Sequence, residues 1–206
     1  MKYDSIIFDM DGTLWDSREG VVLSWNEILE REGQPYRTSL EQMTFCMGKP
    51  MNEIAEIVIP DKPYSETAEL FEKCFTYENE YLARHGAILY PKLCETLAEL
   101  KKHYRLFIVS NCQSGYIEAM FASHPLAQYF EDIECYGNTG LLKADNIRLL
   151  ADRNRLKAPV YVGDVQGDAD AAHAAGVDFI WAAYGFGKVT NPEAVIHSPE
   201  ELKKVL

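Results

Sequence analysis

The chain lacks the features that mark several classes of protein. Its 206 residues contain no apolar run that approaches the roughly 18 residues of a membrane span. Asp9 interrupts the short apolar stretch near the N-terminus, which is therefore not a signal peptide or a transit sequence. The five cysteines are an odd number without a C-x-x-C pair, which excludes a zinc finger and favours free thiols in a reducing cytosol. We expect a soluble, cytoplasmic protein without a membrane partner.

Basic residues are also few. The 20 Lys and Arg residues stand against 32 Asp and Glu residues, and the formal net charge is −12. Such a field repels the nucleic-acid backbone and anionic lipid surfaces, so we expect no nucleic-acid partner. No G-x-G-x-x-G opens a helix after the first strand and no G-x-x-x-x-G-K-[ST] occurs, which argues against a dinucleotide site and a P-loop. A phosphate-bearing ligand must therefore be received locally, by a cation or by oriented N–H groups.

The residues that are present indicate a globular α/β protein. Hydrophobic residues make up 47% and charged residues 25% of the chain, and its length suits one domain with a modest insertion. Short β-rich runs alternate with helical patterns, which predicts a doubly wound, Rossmann-like parallel sheet with helices on both faces. The predicted strands are Ser5 to Phe8, Leu106 to Val109, Val160 to Val162 and Phe179 to Trp181.

One segment breaks this alternation. Residues 16–86 contain no convincing strand and three or four helical candidates. The first helix is predicted to begin at a capping pair, Asp16 with Glu19, and to stop at Gly33. We therefore predict a helical cap inserted after the first strand. The predicted domains are an α/β core of residues 1–15 and 87–206 and an α-helical cap of residues 16–86.

Two pairs of acidic residues follow predicted strands. Asp9 and Asp11 come after the first strand, and Asp164 and Asp168 come after Val160 to Val162. In an open parallel sheet, ligands bind in the crevice beyond the carboxyl ends of the strands. Four carboxylates there repel one another without a counter-ion, and Mg²⁺ prefers oxygen ligands. Each pair also has an ordinary alternative: a solvated acidic turn for the first, and a helix cap for the second.

Groups suited to phosphate stand between these pairs. Ser110 and Asn111 follow another predicted strand, and Lys143 lies at a predicted helix start. A hydroxyl, backbone N–H groups and an ammonium are what the oxygens of a phosphoryl group require. Alone, Ser110 is equally consistent with a helix cap and Lys143 with a solvated charge, so the joint pattern carries the prediction.

These segments, in this order, resemble the haloacid dehalogenase superfamily of phosphatases over nearly the whole chain. The four matching motifs are D-x-D-G-T at Asp9 to Thr13, Ser110, Lys143, and G-D-x-x-x-D at Gly163 to Asp168. The helical insertion is similar to the small cap of that superfamily, and the tail around Tyr184 to Gly187 looks like its phosphoglycolate phosphatase branch. Two residues depart from the pattern: Ala144 follows the motif lysine, where Pro is common, and Trp15 replaces a smaller aliphatic residue.

The resemblance implies a role for each motif residue. Asp9 would be the nucleophile that forms an aspartyl phosphate, and Asp11 the general acid and base. Ser110 and the N–H of Asn111 would hold phosphoryl oxygens, and Lys143 would offset charge. The implied Mg²⁺ ligands are Asp9, the backbone carbonyl of Asp11, Asp164 and Asp168. Lys49, in a turn of the cap, is a candidate for substrate selection, and the alternative is a solvated turn lysine.

The expected function is a Mg²⁺-dependent phosphatase for a small phosphorylated metabolite, such as phosphoglycolate, a sugar phosphate or a nucleotide. The alternative is a sugar phosphomutase, in which the phosphoenzyme passes its group to a second hydroxyl instead of water. A receiver-like signalling module lacks an inserted cap, and a dehalogenase has no need of Asp11 as an acid, so the sequence disfavours both. A monomer and a homodimer both remain open.

Overall fold

A six-stranded parallel sheet forms the centre of the structure, a computed structural model that describes residues 2–206. In chain order the strands are β1 (Ser5–Phe8), β2 (Trp15–Asp16), β3 (Ile88–Leu89), β4 (Arg105–Ser110), β5 (Asp132–Cys135), β6 (Pro159–Gly163), β7 (Asp178–Ala182) and β8 (Ala194–Ile196). The order across the sheet is β5-β4-β1-β6-β7-β8, and β2 and β3 form a separate antiparallel pair. The central position of β1 brings its carboxyl end between those of β4 and β6.

The helices belong to two groups. Four lie between β1 and β4 in the chain, and they are α1 (Arg18–Arg31), α2 (Leu40–Cys46), α3 (Met51–Val58) and α4 (Tyr64–His85). The others follow β3: α5 (Leu93–Leu100), α6 (Tyr116–Ser123), α7 (Tyr136–Thr139), α8 (Lys143–Asn154), α9 (Gln166–Ala175) and α10 (Leu202–Val205). Among residues 2–206, no helix combines the length and the apolar character that a membrane crossing requires.

Both faces of the sheet are buried, because successive side chains of a strand point to opposite sides. Ile6 and Phe8 of β1 belong to one hydrophobic core, which α5, α6 and the helical insertion complete. Ile7 belongs to a second core, on the face that α8 and α9 cover. Burial on both sides explains why the strands read as continuous apolar runs. The predicted α/β fold with a parallel sheet and a helical insertion is confirmed.

Besides the short β2–β3 pair, the structure adds two strands of the main sheet to the four predicted ones. Both are edge strands, β5 and β8, and both are short. Acidic residues alternate with Ile133 and Cys135 in β5, so it lacks the apolar run that identifies the central strands. Sequence analysis therefore predicted the central strands of the sheet and missed its two edge strands.

The start of α1 differs from the prediction. The residue that precedes the helix is Ser17 rather than Asp16, and its hydroxyl donates to Asp11 instead of capping the helix. The Asp16 carboxylate accepts hydrogen bonds from Arg18, at 2.8 Å from Nε. The predicted cap is therefore wrong: the helix begins one residue later, and the Asp16 carboxylate pairs with the guanidinium of Arg18 instead.

Aromatic packing holds the insertion together. The indole of Trp25 on α1 lies 5.4 Å from the ring of Phe71 and 5.6 Å from that of Phe75, centroid to centroid. Both phenylalanines are on α4, which also packs against α6 of the core. Helix α4 therefore connects the interior of the insertion with the sheet domain.

Two adjacent leucines of α8 test the second core. Leu150 is fully buried in it, whereas Leu149 is 38% exposed. Leu150→Ala should lower the free energy of unfolding by about 2–5 kcal/mol, because it leaves a cavity. Leu149→Ala, the matched control, should change it by less than about 1 kcal/mol. Urea unfolding followed by circular dichroism measures both values, and equal losses would contradict the described burial of α8.

Candidate active site

Three neighbouring strands deliver polar side chains to one edge of the sheet. Asp9 directly follows β1, and its backbone N–H donates to Val162 O of β6 at 2.8 Å. Ser110 ends β4, and Asp164 directly follows β6. Because β1 pairs with β4 on one side and with β6 on the other, the three side chains meet beyond the same carboxyl edge.

Lys143 joins this group from the first turn of α8. Its ammonium donates to Asp9 Oδ1 at 2.9 Å and to Asp168 Oδ1 at 2.5 Å, and the side chain is only 4% exposed. Burial alone would lower the pKa of Lys143, but the carboxylates of Asp168 and Asp9 outweigh it and raise the pKa well above its usual value. The lysine is therefore a fixed positive charge at this edge.

Three buried carboxylates surround that single lysine. Asp9, Asp164 and Asp168 each offer an oxygen, and the three atoms lie within 4.8 Å of one another. Burial raises the pKa of Asp9 and of Asp164, and the negative charge of Asp168 raises both further. The cluster carries more negative charge than Lys143 can balance. Its oxygen donors and its charge fit a hard divalent metal ion, which this cluster could hold.

Asp168 serves its own helix as well. Its Oδ2 accepts the backbone N–H groups of Asp164 at 3.0 Å and of Val165 at 3.2 Å, at the start of α9. Its Oδ1 receives Lys143. Asp168 therefore caps the start of α9 with one carboxylate oxygen and binds Lys143 with the other.

Two glycines permit the close approach of Asp164 to the first loop. Gly12 has a φ of +83°, and a Cβ there would lie 2.0 Å from Asp164 Oδ2. A Cβ on Gly185 would lie 2.3 Å from the Cβ of Asp164. The backbone N–H of Phe186 donates to Asp164 Oδ2 at 2.7 Å. The tail segment around Gly185 thus fixes Asp164, a contact that sequence reasoning did not predict.

Asp11 is held by three donors on one oxygen. Its Oδ1 accepts hydrogen bonds from Trp15 Nε1 at 2.9 Å, Ser17 Oγ at 2.6 Å and Tyr116 OH at 2.9 Å. Burial raises the pKa of Asp11, and these donors oppose that shift because they stabilise the charged form. Trp15, the unusual residue that follows the first motif, thus has a specific partner.

Asp9 and Asp11 line a cavity of about 40 Å³ between the sheet and the insertion. The core contributes Asp9, Asp11, Ser110 and Asn111 to its lining, and the insertion contributes Lys49. The Nζ of Lys49 is 4.0 Å from Glu53 Oε2. The structure therefore brings all the predicted site residues to one region: most line the cavity, and Lys143, Asp164 and Asp168 lie directly behind Asp9.

The side chain of Asn111 has a further partner. Its Nδ2 donates to the carbonyl of Gly48 in the insertion at 3.0 Å. One N–H of the amide is thus engaged by the insertion. The side chain links the strand end to the turn that carries Lys49.

Several cavity residues were missed by sequence reasoning. They line the rest of the cavity, and they are Val21, Trp25, Met43, Met47, Met51, Ile54 and Glu78 of the insertion and Cys112, Gln113 and Tyr116 of the core. Most of them are ordinary apolar residues that give no signal of a site. Glu78 did give one, because its spacing from Phe71, Phe75 and Leu82 places an acid on the buried stripe of α4.

The comparisons with known proteins agree with this geometry. The chain is 26% identical to the phosphoglycolate phosphatase of Photorhabdus laumondii, over 96% of this chain and 90% of that protein. It is 28% identical to the tyrosine-protein kinase PtkA of Mycobacterium tuberculosis, over 98% of this chain and 72% of that protein. A haloacid dehalogenase-like hydrolase structure from Bacteroides fragilis matches with a TM-score of 0.85 and 25% identity, covering 97% of this chain and 99% of that one. Since residues 6–182 match the family model for haloacid dehalogenase-like hydrolases, the chain belongs to the haloacid dehalogenase-like hydrolase family.

Proposed function

We propose that this chain is a Mg²⁺-dependent phosphatase that hydrolyses a small phosphate monoester, as a phosphoglycolate phosphatase does. The observation that carries the proposal is the bridge from Lys143 to Asp9 and Asp168, beside Asp164 and at the same edge as Ser110. A carboxylate, a fixed ammonium and a candidate metal site together suit transfer of a phosphoryl group, which depends on positioning and charge stabilisation.

Asp9 is the nucleophile in this proposal. Lys143 donates to its Oδ1 at 2.9 Å, which leaves Oδ2 to attack phosphorus. A bond forms between Oδ2 and phosphorus as the bond to the leaving oxygen breaks, and the product is an aspartyl phosphate. Water then attacks this intermediate, releases inorganic phosphate and restores Asp9.

Asp11 moves the protons. Three donors occupy its Oδ1, so the proton that it transfers is carried on Oδ2. It protonates the leaving oxygen in the first half-reaction and takes a proton from water in the second. Trp15, Ser17 and Tyr116 are the positioning residues that aim this carboxyl group.

The remaining site residues bind the phosphoryl group and balance its charge. The hydroxyl of Ser110 and the backbone N–H of Asn111 hold phosphoryl oxygens. The positive charge of Lys143 reduces the repulsion between the Asp9 carboxylate and the phosphate of the substrate. A bound Mg²⁺, held by Asp9, the carbonyl of Asp11, Asp164 and Asp168, would supply further positive charge to the same oxygens.

The position of the cavity, between the edge of the sheet and the insertion, supports a small substrate. We further infer that residues 16–86 act as a cap over the site, with Lys49 among the residues that select the substrate. The five free cysteines are consistent with an enzyme of the cytoplasm, acting as a monomer or a homodimer.

Asp9→Asn tests the nucleophile. Turnover of any phosphate ester should fall at least about 1,000-fold, because an amide cannot form the acyl phosphate. The measurement is release of inorganic phosphate in the presence of Mg²⁺. Asp145→Asn, a change of the same kind at an exposed position that pairs with Arg148, should keep full activity. Phosphate release by the Asp9 variant within about tenfold of the unmodified chain would mean that another group is the nucleophile.

Tyr116→Phe tests the positioning of Asp11. Removal of one donor should lower kcat/KM for an alkyl ester such as glycerol phosphate by about tenfold, because its alcohol must be protonated as it leaves. For p-nitrophenyl phosphate, whose leaving group needs no proton, the loss should stay within about twofold. Both losses are measured on the same variant. Equal losses on the two esters would contradict a role through Asp11.

A further inference from the structure

Glu78 is an acid at a position where α4 buries apolar residues. It lies on the same stripe as Phe71, Phe75 and Leu82, and its side chain is only 4% exposed. A carboxyl group in such a place costs stability unless it is paired. Glu78 has no cationic partner within salt-bridge distance among residues 2–206. It is not a core residue with an ordinary packing role.

One side of this carboxyl group is satisfied and the other is open to a ligand. The indole N–H of Trp25 donates to Glu78 Oε2 at 2.5 Å. The amide of Gln113 donates to Asn79 Oδ1 at 3.0 Å, and it also lies close enough to Glu78 to favour the charged form of that carboxyl group. Because Glu78 lines the same cavity as Asp9 and Asp11, its Oε1 is available to a molecule bound there.

The chemistry of the wall limits what that molecule can be. Burial raises the pKa of Glu78 to about 8, although the Trp25 indole and the Gln113 amide favour the charged form. A ligand hydroxyl group can hydrogen-bond to Glu78 in both protonation states, since it donates to the carboxylate and accepts from the neutral acid. A ligand carboxylate can accept a hydrogen bond only from the neutral form of Glu78. It also adds negative charge beside Asp9 and Asp11, and Lys49 is the single lysine of the lining.

We propose that Glu78 is a specificity-determining residue that hydrogen-bonds a hydroxyl group of the leaving alcohol, so that small polyol or sugar phosphates are preferred over carboxylate-bearing esters such as phosphoglycolate. The flexible side chains of Met43, Met47 and Met51 are among the apolar residues of the wall, against which the carbon atoms of the alcohol pack. This inference rests on the proposed phosphatase activity and narrows its substrate class.

Matched two-carbon esters test the preference. 2-Hydroxyethyl phosphate and phosphoglycolate differ only in the hydroxymethyl or carboxylate end, and ethyl phosphate lacks both polar groups. With Mg²⁺ at pH 7, kcat/KM for 2-hydroxyethyl phosphate should exceed that for each of the other two by at least about tenfold, since the site leaves a buried acceptor unpaired without the hydroxyl.

Glu78→Gln tests the residue. The Trp25 N–H will bind the amide oxygen, which turns the NH₂ group toward the cavity, where it donates to a carboxylate. The ratio of kcat/KM for 2-hydroxyethyl phosphate to that for phosphoglycolate should therefore fall at least about fivefold. Glu80→Gln is the matched control on the same helix, where the exposed carboxylate pairs with Arg84, and it should leave the ratio unchanged.

The ratio does not depend on the folded fraction, since both esters compete for the same active molecules. Phosphoglycolate hydrolysed as well as 2-hydroxyethyl phosphate, or a ratio unaltered by Glu78→Gln, would overturn the inference and leave the phosphatase standing. Absence of phosphate release from all three esters by the unmodified chain would overturn the proposed phosphatase and this inference together.

Discussion

An imbalance of buried charge is the constraint on which the site depends. Lys143 lies between Asp9 and Asp168, with Asp164 close by, and all four side chains are almost completely buried. Buried charges of one sign in excess cost free energy unless a further partner balances them. In the proposed reaction a divalent cation would restore the balance, and its charge together with that of Lys143 would bind the phosphoryl group.

The insertion is tied to this edge by polar contacts. Ser17 and Trp15, at the junction of sheet and insertion, hold Asp11, and Gly48 accepts the amide of Asn111. Movement of the insertion would therefore change the positions of both Asp11 and Asn111. Glu78 places an acid of the insertion in the same cavity, and in our proposal this acid selects the leaving alcohol.

The sequence predicted the parts of this arrangement that depend on strand ends. Asp9, Ser110 and Asp164 follow buried apolar strands, and parallel strands bring their carboxyl ends together. The partners of these residues depend on tertiary packing, which spacing alone does not encode. Tyr116 reaches Asp11 across 105 residues, and Phe186 reaches Asp164 across 22. Glu78 was readable as an acid on an apolar stripe, but its pairing with Trp25 was not, because the crossing of α1 and α4 decides it.

Calorimetric titration of Mg²⁺ into the full chain tests the charge imbalance most directly. We expect one ion to bind per chain, with an affinity at least about tenfold weaker in Asp164→Asn, which removes one charge and changes no shape. Asp170→Asn, an exposed change on the neighbouring helix, serves as the control and should bind normally. Unchanged Mg²⁺ affinity in Asp164→Asn, or no binding by the unmodified chain, would contradict this account of the site.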